Sequence, residues 1–418
     1  MATHNNHLNG DAISNRHVSK KPKLAPTAAV AVITEDDLHS EFSHHDPAVA
    51  RINNGSFGCC PASVIAAQRR WQLLNLRQPD HFYFNELKKG ILHSRTIIKD
   101  LVNAEHVDEI SIVDNATTAA AVVLQQTAWA FHEGRFQKGV DAVVMLHYAY
   151  GSVKKSVEAY VSRAGGDVIQ VPLPFPLTVV IPVKELVRIC REESVDKVFV
   201  DAAHGIGCTS VDMQEIGADF YTSNLHKWFF CPPSIAFLYS RKNSSSCDLH
   251  HPVVSHEYGN GLAVESAWIG NRDYSAQLVV PDVLEFVNRF EGGIQGIKRR
   301  NHEKVVEMGQ MLAAAWGTHL GSPPEMCASM AMVGLPACLG IRCDLDVARL
   351  RTHLRDEFGV EVPIYFRAPA AAISAGDVVT GYARISYQVY NKVEDYYKFR
   401  DAVDQLVNSG FTCAQLST

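Results

Sequence analysis

Between Lys197 and Cys231 the chain carries an acid, an imidazole and an amine in an order suited to imine chemistry. The run 197–200 is short, apolar and β-branched and stops at Asp201, so it reads as a buried strand delivering a carboxylate to its carboxyl edge. Open α/β sheets bind ligands at that edge. A second run, 218–222, leads into Ser223, Asn224, Leu225, His226, Lys227 and Trp228. Apolar neighbours would desolvate the Lys227 ammonium and a cationic neighbour would disfavour it further. Both effects lower the pKa of an amine that must form a Schiff base. Each residue alone would pass for a cap or a surface group; the ordered set carries the argument.

The elements that must hold this set alternate along the chain. A strand at 111–115 precedes an Ala-rich helix reaching about residue 131, and Thr117 and Thr118 open that helix. A helix start offers unpaired N–H groups and a positive dipole end, and two hydroxyls there make a phosphate cradle. The strand 140–146 ends at His147, Tyr148, Ala149, Tyr150 and Gly151. Helix 152–163, strand 167–171, helix 183–193 and strand 235–239 complete the alternation, which predicts a mostly parallel sheet. Earlier helices fall at 62–74 and 86–101, and one helix at 274–289 leads out of this first domain. Helices near 293–315, 346–358 and 393–407, with strands between them, form a smaller α+β domain. Its most informative stretch, 382–391, alternates as a strand and carries a single arginine, Arg384.

Composition sets the class. The chain has 418 residues, 47% of them hydrophobic, which is enough for two to three domains. A net charge of -6 argues against nucleic acid or an anionic membrane as the main partner and favours a small molecule. No apolar run approaches the ~20 residues that span a bilayer. Ten cysteines lie scattered with no C-x-x-C pair, so they read as reduced thiols with no metal site, and the protein as cytoplasmic. His250, His251 and His256 follow a serine run and read as a loop over the site. Residues 1–33 are polar, then Ala-rich, with the basic run Lys20, Lys21, Lys23; they read as a disordered tail with weak nuclear or organellar targeting character.

The order strand, Asp201-Ala-Ala-His204, then Ser223-Asn-x-His226-Lys227, resembles the lysine segment of class V aminotransferases, fold-type I enzymes that use pyridoxal phosphate. The likeness spans roughly residues 35–405 and is strongest to the branch of plant L-cysteine desulfhydrases and isopenicillin N epimerase-like proteins. It implies an α/β fold with a seven-stranded-type sheet in a large domain, 59–285. A small domain, 286–418, and an N-terminal segment, 34–58, packed on it would complete the chain. Residues 268–273 resemble the W-x-G-T-x-D element that reaches a partner's phosphate in a homodimer, with Asn271 in place of the threonine. Residues 384–391 resemble R-I-S-x-x-x-Y-N, whose arginine grips the substrate carboxylate.

Carried over residue by residue, the resemblance makes Lys227 the Schiff-base lysine and base, Asp201 the partner of the pyridinium nitrogen, and His204 a neighbour of the ring hydroxyl. Thr117, Thr118, Ser223 and His226 would bind the phosphate, with His147 or Tyr150 stacking on the ring. Arg384 would hold the substrate, with Asn54 and Gly55 on an access loop. The implied reaction is β-elimination of L-cysteine to hydrogen sulfide, pyruvate and ammonia. Other carbon–sulfur lyases, a desulfurase, an epimerase and an inactive binding protein are the alternatives. Desulfurases place a cysteine on a mobile loop before the arginine; residues 362–381 contain none. Cys338 and Cys343 lie upstream, in what reads as a buried strand.

Overall fold

The computed structural model describes residues 31–173, 179–242, 249–367 and 379–416. The basic run of the tail, Cys247, the serines at 244–246 and residues 368–378 lie outside this set.

The first lobe holds a four-stranded sheet in the order β2 (Ile110–Val113), β7 (Ala236–Ser240), β6 (Phe220–Asn224), β5 (Phe199–Asp201). Strands β5 and β6 are parallel, and β7 runs antiparallel to both β6 and β2. β3 (Ala142–Leu146) and β4 (Asp167–Val171) form a separate parallel pair. The α/β class holds, and the described residues of this lobe carry six strands, paired as four and two. The connection from β6 to β7 is too short for a crossover of a dozen or more residues carrying a helix, so the chain returns antiparallel. Val144 and Ile169 stay 58% and 53% exposed, so the β3–β4 pair lacks the two-sided cover of a buried parallel sheet.

Apolar side chains fix the layers. Ala119, Val122 and Val123 of the helix Ala116–His132 pack with Val113, Phe220 and Leu238 of the sheet. The opposite face is closed by Ile91 and Ile98 of the helix Leu87–Leu101, packed with Ile112 and Phe237. The single helix expected at 274–289 is two, Ser275–Leu278 and Val280–Asn288. Pro281, second residue of the later one, has no N–H to continue the earlier ladder.

The second lobe is built on the antiparallel sheet β10 (Ile364–Phe366), β11 (Val379–Ser386), β8 (Met330–Pro336). Leu312, Leu335, Leu354, Ile385 and Phe399 form its core. The helix Gly293–Trp316 belongs to both lobes: Ile297 lies in the first core and Val305 in the second. The N-terminal segment also serves both. Phe42 packs in the first core, while β1 (Ala50–Arg51) pairs in parallel with β9 (Val360–Glu361).

Cys338 and Cys343 are exposed, in a tight turn and at a helix N-cap, and are not in a buried strand. Among the described residues no helix is long and apolar enough to cross a membrane.

Candidate active site

Lys227 is the third residue of a one-turn helix, Leu225–Trp228, that follows β6 directly. Two glycines of positive φ let backbone press against this turn. A Cβ on Gly58 would stand 1.9 Å from the His226 carbonyl oxygen, and one on Gly207 2.3 Å from that of Trp228. Burial, then the Arg384 charge, bring the Lys227 pKa down to about 8 against the opposing pull of Asp201.

Asp201 ends β5 and accepts a 3.2 Å bond from the Ala203 amide. Its carboxylate is open to solvent but lies deep among protein atoms. Burial raises its pKa, against the pull of Ala203 and Lys227. His204 stands between two neighbours: Nε2 is 3.3 Å from Lys227 Nζ, and Nδ1 accepts from the Trp228 indole at 3.1 Å. Burial, then Lys227 and Arg384, hold its pKa well below the usual imidazole range. Arg384 comes from β11 of the other lobe. It donates to the Ser56 hydroxyl at 3.0 Å, lies 5.7 Å over the Tyr365 ring, and acts electrostatically on both Lys227 and His204. Lys227, Asp201, His204 and Arg384 therefore lie within electrostatic reach of one another where the two lobes meet.

The phosphate residues are sorted differently. Asn115 caps the helix Ala116–His132 and accepts from both the amide and the hydroxyl of Thr118. Thr117, exposed, meets Ser152 at 3.1 Å, so the starts of two helices converge there. Helix geometry leaves the Thr117 amide without an intrahelical acceptor. Ser223 is corrected: it is fully buried, and its hydroxyl accepts from the Ile206 amide in the core. Asn224 instead reaches the helix start, its side-chain oxygen accepting from the Ala116 amide at 2.9 Å. Adjacent strand residues point to opposite faces, and this parity was the available signal. His226 donates through Nδ1 to the Ile235 carbonyl, so its Nε2 can donate to an anion only when protonated. Burial and Lys227 work against that proton, and the Ile235 bond favours it.

The substrate assignment of Asn54 is also corrected. Asn54 is 2% exposed and spent on fastening: it bonds Asn391, the Ser386 carbonyl and the Tyr390 hydroxyl. Gly55 serves close approach, since a Cβ there would lie 2.5 Å from the Met330 sulfur. Ser56, which sequence reasoning missed, is the loop residue that touches Arg384. His147 is pinned by the Leu173 amide through Nδ1, while Tyr150 is 70% exposed and near enough to influence Arg384. Asn271 is exposed, bonded to Tyr83, and not joined to its own chain's cleft.

His250 and His251 converge on the buried Glu265, which anchors this loop. Elsewhere His44, His45 and Cys59 gather donor atoms within 4.8 Å of one another. The Arg51 guanidinium lies 2.7 Å from His45 Nε2, a fixed positive charge that opposes a cation there.

A lysine of lowered pKa at a sheet edge, faced by a carboxylate and by an arginine from a second lobe, defines an amino-acid enzyme that works through a carbonyl cofactor. The family model Aminotransferase class-V matches residues 177–252. The chain is 64% identical to a "Probable L-cysteine desulfhydrase, chloroplastic" of Arabidopsis thaliana, over 95% of this chain and 90% of that one. It is 55% identical to an "L-cysteine desulfhydrase" of the same plant, over 98% of each. In fold it is similar to a cysteine desulfurase of Thermococcus onnurineus, with a TM-score of 0.69 at 18% identity, covering 91% of this chain and 100% of that one. The chain belongs to the class-V aminotransferase family.

Pyridoxal phosphate is the cofactor that this donor set fits. Lys227 offers the amine, Asp201 an anion for a pyridinium, and Thr117 and Ser152 two hydroxyls at converging helix starts.

Proposed function

We propose that the protein eliminates the β-thiol of L-cysteine, with water converting the remainder to pyruvate and ammonia and sulfide leaving free. The observation that carries this reading is the convergence of Lys227, Asp201, His204 and Arg384, in a chain whose close relatives are named for this substrate. Bound pyridoxal phosphate would supply an electron sink for the pair left at the substrate α-carbon. Lys227 Nζ would hold the cofactor, and its free amine would take the α-proton. Asp201 would keep the ring nitrogen protonated, and Tyr150 would cover the ring. Thr117, Ser152, Asn224 and the helix start would hold the phosphate. Arg384, steadied by Ser56, would grip the carboxylate.

A homodimer fits the exposed Phe57, Phe84 and Tyr258 and the outward Asn271. The nine described cysteines are all unpaired, which suits a reducing compartment such as the cytosol. The test is product analysis with L-cysteine. Sulfide, pyruvate and ammonia in equal amounts support elimination; stoichiometric alanine with a protein persulfide would establish a desulfurase instead.

A further inference from the structure

We infer that Trp228 is a positioning residue that fixes His204 as the neutral Nε2–H tautomer and thereby favours the free amine of Lys227 over its ammonium. An indole N–H can only donate. At 3.1 Å from His204 Nδ1 it requires that nitrogen to be the acceptor, so Nδ1 carries no proton. A neutral imidazole then has its proton on Nε2, the atom 3.3 Å from Lys227 Nζ. An ammonium placed there would set two donors face to face. A free amine instead presents a lone pair that the Nε2–H can enter.

The charged groups around Lys227 do not undo this. Arg384, from the second lobe, acts against the ammonium as well, and Asp201 is the one group favouring it. His204 does not escape by taking a second proton, because burial and the Arg384 charge both oppose it. The pair is held mechanically too. Trp228 is wholly buried. A Cβ on Gly55 would stand 3.3 Å from its Cζ2 and 3.5 Å from His204 Cε1, so the access loop lies flat against both rings.

The experiment uses the full-length chain, cofactor-free and as holoenzyme, labelled with ¹⁵N-histidine, with His204 assigned by its loss in His204→Gln. In both forms His204 shows an unprotonated Nδ1 and a protonated Nε2. In the cofactor-free chain, Trp228→Phe releases the tautomer. The Lys227 amine, followed through ¹³C-methylated lysine, then titrates about one unit higher, a tenfold change in its free fraction. A protonated Nδ1 in the wild-type chain overturns the inference, as does an unmoved Lys227 titration in a folded Trp228→Phe. Should that variant not fold, the wild-type spectrum decides alone. Neither readout needs turnover, so a failure here is separable from a failure of the cysteine-lyase reading.

Discussion

The side-chain oxygen of Asn224 accepts from the amide of Ala116 at 2.9 Å, tying the strand before the lysine to the first residue of the helix proposed to hold the phosphate. One bond thus couples the amine's position to the cradle's. Asn224→Ala is expected to weaken pyridoxal phosphate binding about tenfold, since a lost bond at a charged site costs roughly 1.5 kcal/mol or more. Ser223→Ala should lower the melting temperature and leave that affinity within about twofold, because its hydroxyl serves the Ile206 amide in the core. Equal affinity losses in the two variants would return the phosphate role to Ser223. Cofactor titration by fluorescence measures both.

Lys227→Ala should abolish turnover, by at least about a thousandfold, with an unchanged far-ultraviolet spectrum, since its proposed role is covalent. Borohydride followed by mass spectrometry checks the attachment: a reduced adduct persisting in the variant would place the cofactor on another lysine.

The loading reaction should follow the amine's titration. Below pH 8 the ammonium of Lys227 dominates and cannot attack a carbonyl, so the rate at which the cofactor-free chain takes up pyridoxal phosphate rises with pH and levels off above about 8. The folded pKa lies below the ordinary lysine value of 10.5, so between about 8 and 10.5 the unfolded chain binds more protons and stability rises with pH from this group. Stopped-flow uptake with no inflection between pH 7 and 9 would contradict the first expectation.

Arg384→Ala should raise KM for L-cysteine at least a hundredfold, and Ser56→Ala by about three- to tenfold, because the hydroxyl orients the guanidinium without meeting substrate charge. Cysteamine, which lacks the carboxylate, separates the roles: both variants should treat it like the parent. A Ser56→Ala effect of equal size on both compounds would assign the hydroxyl to something other than the arginine.

Asp201→Ala should retain part of the cofactor and lose most of the rate, about a hundredfold or more, since a neutral pyridine is a poorer electron sink. Steady-state kinetics at saturating cofactor decide it, and unchanged turnover would remove Asp201 from the site.

The sequence displayed this site unevenly, for physical reasons. Lys227, Asp201 and His204 were legible because a short apolar run must end where its strand ends. Arg384 was legible through the resemblance of residues 384–391 to the R-I-S-x-x-x-Y-N element, since alone it would pass for an edge-strand charge. Asn54 looked like a substrate residue because its turn-rich segment resembles the family's entry loop, but its side chain faces inward to Asn391 and Tyr390, and only the tertiary fold says so. The exchange of Ser223 for Asn224 is a matter of strand parity, which a β-register read from sequence leaves open by one residue. The division of the strands into four and two reflects lateral pairing, a property that apolar periodicity does not encode.

The fastening of Asn54 to Ser386, Asn391 and Tyr390 reaches beyond local stability. It binds the loop carrying Ser56 to the strand carrying Arg384, while Gly58 of the same loop presses on the Lys227 turn, so the loop is a strut that sets the spacing between guanidinium and amine.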